Sequence, residues 1–269
     1  MLKTRIITSL VLVAVFIPAL FMLSSVNWAY AMLIFTLLAL NEWAVMIQLP
    51  TTQRAIYLTI AAIAAIAIVQ LMQQQGFHRF FYYSLNTFLI ATIFWMLVVP
   101  FWLAKKWVVN RYMMALLGLL LMASIWLALI CAKSANPWLL LALLLTIWIA
   151  DSAAYFAGKN FGKHKLAPNI SPGKTWEGVV GALVAVTIFG LVIYFGFNID
   201  SLAIFPALWL ITSFGVIGDL FESMLKRQAN IKDSGYLLPG HGGILDRIDG
   251  VIPSLPIAIL MIYAYNLWW

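Results

Sequence analysis

Charge is what this sequence lacks. Asp, Glu, Lys and Arg make up 9% of its 269 residues, where a soluble domain carries about 25%. With 64% hydrophobic residues and a mean hydropathy of +0.99, a soluble globular protein is excluded and an integral membrane protein is implied. Cysteine is nearly absent as well. Cys131 stands alone, so an intrachain disulfide and a thiolate metal cage are both ruled out. Acidic residues number only nine against sixteen basic ones, a net charge of +7. The basic residues are too few and too dispersed for a nucleic-acid partner. The positive-inside rule and anionic lipid account for them.

What is present is a series of long apolar runs. A helix needs roughly 20 mostly apolar residues to cross a bilayer. Nine stretches qualify: about 6–24, 28–48, 55–73, 84–103, 112–132, 137–157, 178–197, 202–222 and 251–268. The pattern predicts an all-α, polytopic helical bundle. Residues 1–135 form about five N-terminal spans, and 136–269 form about four more with long loops at 158–177 and 223–250. Lys3 and Arg5 before an apolar run, with Ala29-Tyr30-Ala31 after it, resemble a signal peptide. The run is too long for a signal core, and it is read as the first span.

Orientation follows from the basic residues. With the N-terminus in the cytoplasm, only Arg79 and Lys133 fall outside. The other fourteen of the sixteen fall inside: Lys3 and Arg5; Arg54; Lys105, Lys106 and Arg111; Lys159, Lys163, Lys165 and Lys174; Lys226, Arg227, Lys232 and Arg247. This asymmetry puts both long loops on the cytoplasmic side.

The acids are unevenly placed. Glu42 lies in the second span and Asp200 in a short outer connection, while the other seven fall between Asp151 and Asp249. Carboxylates at membrane depth are costly and mark ion, proton or substrate sites. In "GDLFESMLKR", Asp219, Glu222, Ser223 and Lys226 follow i, i+3, i+4, i+7 spacing and so share one helix face. A Glu222–Lys226 pair at i+4 is the simple structural reading, but it leaves Asp219 unexplained. In "PGHGGILDRIDG", His241 stands among glycines ahead of Asp246, Arg247 and Asp249. Glycine permits the dihedrals of an anion-binding nest. If helical, Asp246 and Asp249 are neighbours that can share a cation, and Mg²⁺ prefers such oxygen ligands. A solvated connection is the bland alternative for this stretch. "SPGKTWEG" superficially resembles a P-loop, but Pro168 stands where a glycine is required. Its simple reading is a turn capping the seventh span, with Glu177 near the helix N-terminus.

Ser223-x-x-Lys226-Arg227, Lys232-Asp233 and Pro239-x-His241-Gly242-Gly243-x-x-Asp246-Arg247-x-Asp249 together resemble the signature of the phosphatidate cytidylyltransferases, also called CDP-diacylglycerol synthases. The resemblance is specific over about residues 150–250 and generic before them. It implies a dimeric enzyme of the bacterial inner membrane that converts CTP and phosphatidate into CDP-diacylglycerol and pyrophosphate. It also implies Mg²⁺ and a second cation such as K⁺. Asp219 and Asp246 are the metal ligands it implies, with Asp249 a further candidate. Asp219, Asp246, Lys226 and Ser223 are then the expected catalytic group. Lys174, Ser171, Arg227, Lys232, His241, Gly242, Gly243 and Arg247 are expected to hold the substrates. Ser223 and His241 are expected to hydrogen-bond phosphate rather than act covalently.

Two rivals stand beside this reading. A secondary transporter of an anionic metabolite or ion would explain intramembrane acids such as Asp151 and Asp219, but not their clustering at one face. A CDP-alcohol phosphotransferase would need an Asp-rich helix pattern that is absent, and would release CMP in place of pyrophosphate.

Overall fold

The computed structural model describes residues 2–197, 201–237 and 242–266. Nine helical rods account for nearly all of them. They are α1 (Leu2–Met22), α2 (Ser25–Met46), α3 (Thr51–Gln75), α4 (Phe77–Ile93) running through a π-helical turn (Phe94–Val98) into α5 (Val99–Lys105), α6 (Arg111–Ala135), α7 (Pro137–Phe161), α8 (Trp176–Gly196), α9 (Ile204–Gln228), and a short α10 (Leu245–Ile248) leading into α11 (Val251–Asn266). Among the described residues, eight rods are long and apolar enough to cross a membrane, and Ile7–Met22 of α1 is a shorter apolar helix. The protein is a polytopic membrane protein.

Local chemistry sets several helix starts. The Asn110 side chain accepts from the amides of Tyr112 and Met113, and Thr175 accepts from Gly178 N–H. α7 begins with Asn136 as its cap and Pro137 in its first turn, where a missing N–H costs nothing.

The two expected long loops are shorter than their composition suggested. α7 runs on to Phe161, and the segment between it and α8 is more than a turn. Strands β1 (Lys165–Ala167) and β2 (Ser171–Thr175) pair antiparallel there. α9 runs on to Gln228 and α10 begins at Leu245, so the second loop shrinks to 229–244. Lys159, Lys226, Arg227 and Arg247, read as loop, are therefore helical, and Lys226 finds its partners Glu222 and Asp246 within the protein. Asp200 and His241 lie outside the described residues.

α6 is the most enclosed rod and packs against α2, α4, α7 and α11. Indole N–H groups tie it to α2. Trp28 Nε1 donates to Leu129 O (3.1 Å), Trp126 Nε1 to Ala29 O (3.0 Å) and Trp43 Nε1 to Met114 O (2.9 Å). Interhelical hydrogen bonds of this kind substitute for the hydrophobic drive that is missing between helices in lipid. α7 and α8 approach most closely through small residues. A Cβ at Gly181 would fall 2.4 Å from Ala157 Cβ, and one at Gly178 would fall 2.8 Å from Ala154 O. Gly181→Leu is expected to pry the pair apart and cost about 1–3 kcal/mol, read as a lowered thermal midpoint in detergent.

Four connections meet at one end of the bundle. Arg111 Nη1 donates to Gln48 O (3.1 Å), Gln228 Nε2 to Trp107 O (3.1 Å), and Ser234 Oγ to Glu42 (3.1 Å). Lys174 of the β-hairpin pairs with Asp219 of α9. At the opposite end, Lys133 Nζ donates to Leu23 O (2.5 Å).

Candidate functional site

α9 carries the first half of the site, and the helical spacing of its acids is real. Ser223 Oγ donates to Asp219 Oδ1 (3.2 Å), one turn apart, while Asp219 Oδ2 pairs with Lys174 Nζ from β2. The Glu222–Lys226 pair exists (2.8 Å), but Lys226 Nζ also donates to Asp246 Oδ1 of α10 (2.6 Å). These three side chains are almost completely enclosed, at 11%, 6% and 7% exposure for Lys226, Glu222 and Asp246. One ammonium thus bridges two buried carboxylates, an arrangement that needs every partner in place.

α10 and the turn before it carry the second half. Asp246 Oδ2 accepts from Gly243 N–H (2.8 Å) and Ser234 N–H (3.0 Å), while Asp246 N–H donates back to Ser234 Oγ (3.3 Å). Asp249 accepts from Gly250 N–H (2.8 Å). Its carboxylate is repelled by those of Asp219, Glu222 and Asp151. α9 meets the α10–α11 junction backbone to backbone here, for a Cβ at Gly218 would fall 2.3 Å from Asp249 O. Asp151 of α7 lies within the electrostatic reach of Asp219, Lys174 and Arg247. The structure therefore brings Asp219, Lys174, Ser223, Lys226, Asp246 and Asp249 to one end of the bundle.

Other expected residues sit at the rim. Arg227 and Lys232 are exposed, Arg227 donating to Ile231 O (3.3 Å), and Arg247 is exposed on α10. Ser171 opens β2, half-buried. Gly243, expected among the residues that hold the substrates, donates its N–H to Asp246. Gly242 is required for its conformation, with φ +81°, and for closeness to Asp246, whose Oδ2 would lie 2.7 Å from an added Cβ. His164 was not singled out from the sequence. Its ring Nδ1 lies 2.7 Å from Glu177 Oε1 in the first turn of α8, closing the β-hairpin onto that helix. Glu222, read from the sequence only as an ion-pair partner, is part of the same web as Asp246.

The donor set suits a hard cation. Among the described residues no cluster of three or more His, Cys, Asp or Glu side chains forms a ready-made metal cage. Mg²⁺ needs no such cage, since it is held by one or two carboxylates with phosphates and water completing the shell. Asp219, Asp249 and Asp151 repel one another, a crowding of charge that a bound cation would relieve. Asp246 has the least spare capacity of these acids, because both its oxygens already accept from Lys226 or backbone amides.

Fold and site define a membrane-embedded helical protein with carboxylates and ammonium groups paired at one end of the bundle. The chain belongs to the cytidylyltransferase family, whose sequence profile matches residues 3–265. It is 37% identical to a phosphatidate cytidylyltransferase of Pseudomonas aeruginosa, with 98% of each chain covered. It is 33% identical to one of Haemophilus influenzae over 95% of this chain and 96% of the relative. A Staphylococcus saprophyticus phosphatidate cytidylyltransferase is 47% identical over 44% of this chain and 47% of its own.

Proposed function

We propose that this membrane enzyme, a phosphatidate cytidylyltransferase by its family and full-length relatives, transfers the cytidylyl group at the ionic cluster of α9, α10 and β2. The substrates are CTP and phosphatidate, and the products are CDP-diacylglycerol and pyrophosphate. The observation that carries this reading is the Lys226 bridge between Glu222 and Asp246 (2.8 and 2.6 Å) beside the Lys174–Asp219 pair. It places cations and carboxylates from three elements within reach of one another.

Both substrates are anions, so repulsion is the first obstacle. A phosphate monoester with a second pKa near 6 is mostly dianionic at neutral pH. The phosphatidate oxygen therefore attacks the α-phosphorus of CTP without a dedicated base, and pyrophosphate leaves in line. Catalysis is then positioning and charge neutralisation. Lys174 and Lys226 act as point charges toward phosphate, and the rim residues Arg227, Lys232 and Arg247 gather the nucleotide. Ser223 hydrogen-bonds Asp219 and keeps its carboxylate aimed. Asp219 and Asp249, with Asp246 beside them, are the residues that would hold Mg²⁺, which when bound neutralises phosphate charge and stabilises the leaving pyrophosphate. We place this end of the bundle at the cytoplasmic face of a bacterial inner membrane, supported by the fourteen basic residues assigned to that side. The enzyme is proposed to work as a homodimer.

Purified protein with phosphatidate micelles, radiolabelled CTP and Mg²⁺ is expected to yield CDP-diacylglycerol and pyrophosphate. EDTA stops the reaction and added Mg²⁺ restores it. Release of CMP, or ion flux in liposomes without CTP, would contradict the assignment. Lys174→Ala removes a phosphate partner on the β-hairpin and is expected to raise KM for CTP about ten-fold, measured by initial rates. An unchanged KM and kcat would take Lys174 out of the substrate site.

A further inference from the structure

We infer that Glu42 of α2 is a positioning residue for cytidylyl transfer, anchoring the segment that carries Asp246. The inference rests on the reading of Asp246 as part of the reacting site. Glu42 comes from the N-terminal half of the chain, nearly two hundred residues before its partners, and is buried at 7% exposure. A single oxygen, Oε2, accepts both from Ser234 Oγ (3.1 Å) and from Leu245 N–H (2.9 Å). Leu245 is the covalent neighbour of Asp246. Ser234 exchanges two contacts with Asp246, donating its N–H to Oδ2 (3.0 Å) and accepting the Asp246 N–H at its hydroxyl (3.3 Å). One carboxylate oxygen therefore holds both strands of the loop that clasps Asp246.

The loop is built around that carboxylate. A Cβ at Gly235 would fall 2.5 Å from Glu42 Oε1, and one at Gly243 would fall 2.4 Å from Oε2. Glycine backbone thus wraps Glu42 on two sides, and the Gly243 amide beyond it donates to Asp246 (2.8 Å). The other oxygen, Oε1, is buried without a hydrogen-bond partner. Burying a carboxylate that is only half satisfied is costly. An apolar residue would fill the same space more cheaply if packing were all the position required. What only an acceptor at this position supplies is the fixed placement of residues 234 and 245 against α2, and with them the position of Asp246, which Lys226 of α9 meets.

The geometry separates acceptor from charge. Both donors reach the same oxygen, so a glutamine can present its carbonyl there and turn its NH₂ to the position where Oε1 has no partner. Glu42→Gln is expected to keep kcat within about three-fold of the parent, whereas Glu42→Leu lowers it about 100-fold, the scale of an ångström's misplacement at a reacting centre. KM for phosphatidate is expected to stay within about three-fold in both, because a residue that positions Asp246 acts on turnover more than on lipid binding. Amide exchange at Ser234, Gly235 and Gly243 quickens in Glu42→Leu, while exchange in α6 is unchanged.

A Glu42→Leu enzyme with parental kcat overturns the inference, and so does a loss that Glu42→Gln shares in full. If Glu42→Leu does not accumulate as folded protein, Ser234→Ala decides. It removes the hydroxyl that links Glu42 to Asp246 and is expected to lower kcat about ten-fold, and a parental kcat there overturns the inference. Asp246→Asn run in parallel keeps the two claims apart. An inactive Asp246→Asn beside an active Glu42→Leu sinks the Glu42 role alone. An active Asp246→Asn sinks the site reading and the inference with it.

Discussion

Lys226→Met is expected to cost the protein both its activity and much of its stability. Lys226 neutralises two carboxylates at once, Glu222 at 2.8 Å and Asp246 at 2.6 Å, and all three side chains are enclosed. Methionine matches the length of the stem and removes only the charge. Two buried anions are then left facing each other, and one oxygen of Glu222 already lacks a partner. Breaking a buried pair from one side costs about 3–5 kcal/mol, so the thermal midpoint in detergent should fall by many degrees. The paired change Lys226→Met with Glu222→Gln removes one of the stranded charges and should recover a large part of that stability. Activity should not return, because the ammonium that ties Asp246 to α9 is still missing. A double variant that regains turnover would show that Lys226 serves the fold alone.

Asp219→Asn is the second large effect, and its signature is the opposite. Asp219 is more open than Lys226, Glu222 or Asp246, at 34% side-chain exposure, and its partner Lys174 lies on a small hairpin and not in the core. Asparagine keeps the volume and can still accept from Ser223. Folding and membrane insertion should therefore be unchanged. Turnover should fall about 10³-fold, the scale seen when a preorganised electrostatic partner of a transition state is lost. Excess Mg²⁺ should rescue it partly, because a weakened cation site is filled by mass action. Near-normal turnover without added Mg²⁺ would remove Asp219 from the cation's surroundings.

These two residues also show what could be read from the sequence and what could not. Asp219, Glu222, Ser223 and Lys226 announce their shared face through helical spacing, and the Glu222–Lys226 pair follows from i, i+4 geometry. The rods themselves were legible because length and apolarity are local properties. Their ends were not. The span drawn to residue 222 stops short of the helical spacing that reaches Lys226, and α9 runs on to Gln228, where Asp246 neutralises Lys226 from twenty residues away. β2 reads as a turn in the sequence because Pro172 and Gly173 mask a short strand that pairs with β1. The amide of Gly243 looks available for phosphate, and only the return of the chain onto Asp246 shows otherwise. The contacts from Lys174 to Asp219 and from Glu42 to Ser234 and Leu245 join segments distant in the chain. No periodicity encodes them; packing of α2 against α10 and of β2 against α9 creates them.

The central claim is that carboxylates on α9 and at the α10–α11 junction surround one cation together with the nucleotide. Mn²⁺ reports this directly by electron paramagnetic resonance in the purified full-length protein with CTP present. Asp219→Asn and Asp249→Asn, one on each element, are each predicted to weaken Mn²⁺ binding at least about ten-fold relative to the parent protein. Parental Mn²⁺ affinity in both variants would contradict the account.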